Sequence, residues 1–490
     1  MSEFDELREV RLAKLRALID KKVDPYPAKA HKAVTNQEAT NKFDAWLAKQ
    51  KKVTLAGRLM SKREHGGLIF GELRDFSGDF QILFKQDVLS AKNWKLLTDL
   101  IDIGDFLEAK GTLFLTQKQE KTLQVEKFTI LAKSLRPLPE KWHGLVDIET
   151  RFRQRYLDIL MNPEIKGRFV LRHQLIQALR NFLVKDGFIE VDTPALQCLP
   201  GGALATPFVT HYDALDTDVY LRIAPELYLK RLIVGGFEKV FEFARVFRNE
   251  GVSTQHLQDF TMLEFYLAYS DYEEMMKFTE KMLSLIITKV LGVDTIQFGE
   301  HTLDLRVPWP HRSLQSLILE NTGINIDQCQ SVADLQMAIQ AQNIQLTYTG
   351  ATSRGKLIDE LYKETVRPKL MNPIFITDHP LDLSPLAKKD PKDPTKVQRF
   401  QLVISGMEIV NAFSELNDPL DQEERFDEQA RHRAAGDKEA HSADSDYVKA
   451  LEYGMPPTAG FGMGIDRLVA LLTNADSIRE AVLFPFVKPR

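Results

Sequence analysis

KVFEFARVFRNEGVSTQHLQDFTMLEFYLAY, residues 239–269, holds two runs rich in aromatic and β-branched residues, 239–247 and 260–269, on either side of a polar span containing Gly251. That pattern predicts two strands joined as a β-hairpin, and a hairpin builds an antiparallel sheet. The polar span crowds Arg248, Glu250, His256 and Phe260 together. A solvated hairpin accounts for polar residues one by one, with one aromatic turned to the core, but not for a cation, an anion, an imidazole and a ring in such close order.

Outward from the hairpin, residues 165–186 and 271–292 carry helical periodicity, and VYLRI (219–223) reads as a further strand. Helices mixed with hairpin-connected strands predict an α+β domain on an antiparallel sheet. Neither a Gly-x-Gly-x-x-Gly following a strand nor a Gly-x-x-x-x-Gly-Lys-Ser/Thr occurs, so the usual phosphate-binding loops of doubly wound folds are excluded. PLAKKDPKDPTKVQR (385–399) is polar and proline-rich and is expected to be a mobile loop.

Upstream, five short β-rich runs lie between Lys52 and Leu131, with a helical stretch near Ser90–Ile101 between the third and fourth. That order predicts an all-β OB-fold barrel. Arg63, Phe70 and Gln81 lie on or beside its early strands, where such barrels stack bases and read their edges. SLRPLPEKWHG (134–144) reads as a linker. The expected organisation is a helical extension over 1–50, with Leu7, Leu15 and Leu18 on an amphipathic face, then the barrel over 51–133, a linker over 134–150 and the α+β domain over 151–490.

At 490 residues the chain is too long for one ordinary core. No apolar run is long enough to cross a bilayer, and the charged N-terminus does not read as a signal sequence. Two cysteines, Cys198 and Cys329, argue against a disulfide framework or structural zinc and fit a reducing cytoplasm. Residues 1–150 carry 26 Lys/Arg against 22 Asp/Glu and the remainder 38 against 47, an asymmetry suited to a front domain that meets a polyanion.

GFIEVDTPAL (187–196), the 247–260 hairpin and GFGMGIDRLVALL (460–472) resemble, in this order, motifs 1, 2 and 3 of the class II aminoacyl-tRNA synthetases. RIAPELYLKRLIVGGFEKVFEFARVFRNEG, NAFSELNDP and LEYGMPPTAGFGMGIDRL are similar nearly letter for letter to the lysyl-tRNA synthetase family, and the likeness runs through the barrel, the RPLP linker and the SPLAK segment. The resemblance implies a class II catalytic domain behind an anticodon-binding barrel, ATP-dependent activation of L-lysine with Mg2+, transfer to tRNA(Lys), and a homodimer formed across motif 1.

It also implies roles. Arg248 would bind the α-phosphate and the lysine carboxylate, Glu250 the adenine side and His256 the terminal phosphates, while Phe260 and Arg467 would sandwich the adenine. Arg248 and Arg467 would be the catalytic cations. Glu415 and Tyr266 would reach the lysine ammonium, Glu226 and the backbone at Gly202 its α-amino group, with Asn411 and Phe413 lining the slot and Glu264 beside them. Arg63, Phe70 and Gln81 would read the anticodon.

Four departures stand out. Gln401 occupies the earlier of two metal-bridging positions that the family fills with glutamates, leaving Glu408 as the carboxylate, so weaker or differently shared metal binding is expected, with Glu264 as a compensating carboxylate. Thr206 stands where the family usually has arginine. Leu257-Gln258-Asp259 replaces Asn-Pro-Glu, which predicts a less rigid hairpin tip. TQKQEKTLQV (116–125) replaces a tighter barrel turn, with Glu120 as a further candidate there. Two other readings of the same residues are lysylation of a protein, which shortened relatives without the barrel perform, and a non-catalytic lysine-sensing or RNA-binding paralogue.

Overall fold

A computed structural model describes the chain apart from residues 1–2, 140–144, 146, 252, 255, 348–352, 435–443 and 490. It divides into two compact units, 1–146 and 147–490.

In the first unit, strands β1 (Lys52–His65), β2 (Leu68–Asp75), β3 (Gly78–Lys85), β4 (Phe106–Leu115) and β5 (Lys121–Ala132) close a barrel in the order β1-β2-β3-β5-β4. Alternate residues such as Leu55, Ile69, Leu73, Ile82, Phe84 and Val125 fill its interior. The helix Ala91–Leu100, capped by the Ser90 hydroxyl, enters between β3 and β4 where the sequence placed a helix. Helix Glu3–Asp20 contributes Leu18 to the same core. The fully buried Lys133 ammonium is held by Asp105 at 2.8 Å, Asp102 at 2.6 Å and the Leu100 carbonyl, so no charge is left unpaired inside. Arg63 lies directly across from Phe70, and Gln81 across from Glu72. The three candidate anticodon residues therefore share the outer face of β1-β2-β3, opposite to the buried Ile69 and Leu73.

In the second unit, among the described residues, eight strands form one sheet: β6 (Ile189–Glu190), β7 (Lys239–Phe247), β8 (Asp259–Ala268), β9 (His311–Ser313), β10 (Ile374–Thr377), β11 (Arg399–Ile404), β12 (Met407–Ser414) and β13 (Thr458–Gly464). Their order is β9-β10-β11-β12-β13-β8-β7-β6, antiparallel through the centre and parallel only where β6 and β9 join the two edges. One face, with Phe400, Val410, Ala412, Phe265 and Phe461, packs on helices Pro163–Lys185 and Tyr272–Leu291, and the Phe265 and Phe461 rings stack 4.2 Å apart. The other face carries the polar residues.

Between β9 and β10, helices Leu314–Thr322, Val332–Ala341 and Arg354–Thr365 enclose a small core of their own, and each is N-capped by a serine, Ser313, Ser331 and Ser353. A second small sheet pairs Leu196–Gln197 and Val209–Tyr212 with Thr217–Leu221.

The expectation of a mobile loop over 385–399 is overturned. Lys388 N–H donates to Ser414 O at 2.8 Å, Gln398 N–H to Lys388 O at 2.9 Å and Asp390 N–H to Lys396 O at 3.0 Å, while Lys396–Val397 pairs with His379–Pro380. The prolines and charges that read as disorder are the turn residues of a backbone ladder across the sheet edge. The less rigid hairpin tip is likewise tied: Leu257 is buried, Gln258 O accepts from Arg248 N–H, and Thr254 O accepts from Ile478 N–H.

Candidate active site

Glycines 460, 462 and 464 alternate along β13, so all three point to the polar face of the sheet, where they present no side chain. Gly460 lies between Phe413 of β12 and Tyr266 of β8, and Gly462 between Asn411 and Glu264. The result is a trench down the middle of the sheet, walled by neighbouring strands, that opens into a cavity of about 360 Å³. All fourteen candidate residues of this unit line it: Gly202, Glu226, Arg248, Glu250, His256, Phe260, Glu264, Tyr266, Gln401, Glu408, Asn411, Phe413, Glu415 and Arg467.

One end of the cavity is cationic and aromatic. Arg248 follows β7 directly, and its guanidinium lies 5.1 Å from the Phe260 ring centre and, among the described residues, is in hydrogen-bond reach of the Ile223 carbonyl, at 3.5 Å, and Met262 Sδ. Burial lowers its pKa, opposed by Glu250. Arg467 opens the helix Ile465–Leu472 after the glycine strand and donates to the Glu408 carbonyl at 3.1 Å. Its neighbour Asp466 is buried, accepts from Thr261 N–H at 2.7 Å and pairs with Arg172 at 2.7 Å, which pins the helix start to β8. His256 Nδ1 is 2.8 Å from the Ser253 hydroxyl, and partial burial together with Arg467 holds its imidazole below the usual range.

The other end is acidic and buried. Glu226 starts the helix Glu226–Val234, and one turn on, Lys230 sits fully buried with its ammonium 2.6 Å from Glu226 and in contact with Glu415. Tyr266 donates to Glu264 at 3.2 Å. Burial pushes the Glu264 and Glu415 carboxyls up, and Lys230 opposes this at Glu415. For Lys230 burial works against the charge, yet Glu226 and Glu415 outweigh it and hold the ammonium protonated. Oε1 of Glu415 is buried without a hydrogen-bond partner, an acceptor left for something that enters the cavity. Arg399 donates to Asn411 Oδ1 at 2.8 Å, to Ser384 Oγ at 2.7 Å and to the Leu383 carbonyl at 3.0 Å, so one side chain orients Asn411 and holds the 383–387 segment over the trench.

At the sheet edge of the cavity Gln401 Nε2 donates to Glu408 Oε2 at 2.6 Å. Among the described residues no group of three or more Asp, Glu, His or Cys could hold a metal ion by itself. The Gln401 amide presents its nitrogen to Glu408; with that amide turned over, its oxygen and the Glu408 carboxylate would suit a magnesium ion that takes its remaining ligands from phosphates and water.

Sequence reading missed three features of this cavity. Lys230 was readable only as its i+4 spacing from Glu226, beside Arg231 on a short helix. Arg399 looked like the end of a polar loop. The alternating glycines were noticed, but their effect as a trench needs the strand order.

Comparison with known proteins agrees with this geometry. Residues 147–488 match the family of tRNA synthetases class II (D, K and N), and residues 53–131 match the OB-fold nucleic acid binding domain. The chain is 47% identical over 488 residues to the lysine-tRNA ligase of Pelotomaculum thermopropionicum, covering 100% of this chain and 96% of that one. It is 48% identical over 487 residues to that of Syntrophomonas wolfei, with 99% and 98% covered, and 47% identical over 489 residues to that of a Roseiflexus species, with 100% of both chains covered. These matches, over both units and along the whole chain, place it in the lysine-tRNA ligase family of class II aminoacyl-tRNA synthetases.

Proposed function

We propose that the cavity activates L-lysine with ATP and passes it to tRNA(Lys). The observation that carries this reading is the polarity of the trench: guanidinium groups bonded to backbone carbonyls and to no carboxylate among the described residues at one end, and at the other a buried carboxylate whose oxygen has no partner.

In the first step a lysine carboxylate oxygen attacks the α-phosphorus of ATP, the bond to the bridging oxygen breaks, and pyrophosphate leaves with its electron pair. Two anions must approach, so fixed positive charge and alignment supply the acceleration. Arg248, whose fork has no carboxylate partner among the described residues, is placed to neutralise both reactants. Phe260 and Arg467 hold the adenine ring, Glu250 its edge, and His256 the terminal phosphates. Magnesium, bound through Glu408 and the Gln401 amide oxygen, would screen the phosphate charge. The lysine ammonium meets Glu415 and Tyr266, its α-amino group meets Glu226 and the Gly202 backbone, and Asn411 and Phe413 line the methylene path, with Glu264 behind. In the second step a hydroxyl of the terminal ribose attacks the lysyl carbonyl and AMP leaves.

The barrel face with Arg63, Phe70 and Gln81 supports a nucleic-acid acceptor over a protein one. The exposed apolar side chains Val184 and Ile189, at the helix end and strand of motif 1, support a homodimer formed across that motif. Both cysteines are free thiols, in keeping with work in the cytoplasm, and no helix of the described residues is long and apolar enough to cross a membrane.

Exchange of pyrophosphate into ATP, measured with each of the twenty amino acids and followed by charging of unmodified tRNA(Lys), tests the proposal. Lysine alone is expected to support exchange, and Arg467→Ala to abolish it in a protein that still folds. Exchange supported by another amino acid, or retained in the variant, removes the assignment.

A further inference from the structure

Lys230 is a lysine buried in what is proposed to be a lysine pocket. It has no exposed surface, it touches Glu226 and Glu415 at once, and its ammonium lies 5.5 Å from the Phe413 ring centre and 5.9 Å from that of Tyr447. Glu226 and Lys230 come from one helix, Glu264 and Tyr266 from β8, Glu415 from the end of β12, and Tyr447 from the helix Ser445–Glu452. These are the titratable groups that face Glu415 from the elements packed around it, and Lys230 is the cation among them. A buried carboxylate with no counter-ion takes up a proton instead of bearing its charge.

We propose that Lys230 is a positioning residue for lysine recognition, a permanent internal cation that fixes Glu226 and Glu415 and offsets part of the cost of burying the Glu415 charge before the substrate arrives. This rests on the reading that these two carboxylates bind the amines of lysine. Lys230 contacts them from inside the protein, which leaves Glu415 Oε1, on the side of Gly460, for the incoming ammonium. It never needs to touch the substrate, and the trench never has to bury a bare carboxylate pair while empty.

The sign of the pH effect follows from burial. Burial raises the Glu415 carboxyl and Lys230 opposes that rise; without Lys230 it titrates higher still, stays protonated further up the pH scale and meets the lysine ammonium uncharged there, and affinity returns as pH rises through the higher pKa.

The test is lysine-dependent pyrophosphate exchange by the full-length chain from about pH 6 to about pH 8. Lys230→Met, similar in length and uncharged, is expected to raise KM for lysine about a hundredfold at the acid end, with KM falling by up to roughly tenfold per pH unit. KM for ATP and kcat at saturating lysine should stay within about threefold of wild type. In wild type the rise in KM should be displaced to lower pH, and Lys230→Arg should restore the wild-type profile.

A lysine KM in Lys230→Met that matches wild type at every pH overturns the inference. So does a pH-independent loss shared by lysine and ATP, which would mean a merely structural role. Glu415→Gln separates the two layers: if it leaves KM for lysine unchanged, the pocket assignment itself is wrong, whereas if it raises KM and Lys230→Met does not, only the role of Lys230 falls. Should Lys230→Met fail to fold, calorimetry of lysine binding to the wild-type chain in two buffers of different ionisation enthalpy decides. Release of less than about half a proton per lysine supports a carboxylate already ionised, and release of a whole proton overturns it.

Discussion

At the scale of single residues, space and charge are set by different side chains. Gly460 has no unusual backbone requirement, yet a Cβ there would fall 1.9 Å from Glu415 Oε1 and 2.7 Å from Tyr266 Cε1. Neither neighbour can retreat, because Glu415 is locked by Lys230 and the Tyr266 ring is buried. Gly460→Ala is therefore an overpacking change confined to the proposed ammonium end, where about 1 to 3 kcal/mol is typical. Its expected outcome is a ten- to hundredfold rise, roughly, in KM for lysine with little change in KM for ATP, read by exchange at varied concentrations of each. Equal effects on both substrates, or none on lysine, would show that Gly460 is not the floor of the lysine slot. The residues of this site were unequally legible. Arg248, Phe260 and Arg467 stand in stretches whose residue types have no bland explanation in combination, and the structure gathers them. Lys230 was not legible, because a lysine followed directly by Arg231 looks like part of a solvated helix face until the facing Glu415, 185 positions later in the chain, is brought against it.

Elements follow the same division between local and non-local information. The barrel strands, the helix Ala91–Leu100 and the long helices Pro163–Lys185 and Tyr272–Leu291 were readable because their periodicity is sustained over several turns or alternations. The segment 385–399 misled because turn chemistry marks a change of direction without saying whether the turns are pinned, and here Ser414 on the neighbouring strand pins them. The two-residue strands at Leu196–Gln197 and Ile189–Glu190 have no period at all, so only their partners define them. One barrel element can be tested directly. Gly111 sits where the β4-β5 register shifts, and a Cβ there would meet the Gln124 carbonyl oxygen at 1.8 Å and its carbon at 2.7 Å. These are backbone atoms of a closed barrel, so they cannot rotate away as a side chain could. Gly111→Ala should destabilise the barrel by about 1 to 3 kcal/mol or more. Hydrogen exchange followed by mass spectrometry on the full chain should then show lost protection across Phe106–Leu115 and Lys121–Ala132 while Thr458–Leu472 keeps its protection. Unchanged protection in β4 and β5 would mean the bulge can widen to accept a methyl group.

On the scale of the whole molecule, two units have separate cores, and the proposed function assigns them different tasks. The cavity is built wholly from residues after Asp147, and the candidate anticodon residues lie wholly before it. The front of the chain carries the excess of cations that phosphate contacts use, and the rear carries the carboxylates that a dicationic amino acid needs. If exchange requires only the rear unit, a change on the outer face of the barrel should alter charging and leave activation untouched. Phe70 is the sharpest probe, being a half-buried ring directly across from Arg63 and outside the barrel core. Its truncation removes a surface on which a base can stack, worth about 1 to 3 kcal/mol per base. Phe70→Ala is therefore expected to raise KM for tRNA(Lys) by roughly ten- to a hundredfold in aminoacylation, while lysine-dependent exchange stays within about twofold of wild type. Parallel assays on one preparation check this, with exchange serving as the control for folding of the rear unit. A matched fall in both activities would mean that the units are not independent in function, and charging unaffected by the change would mean that the tRNA is read elsewhere on the barrel.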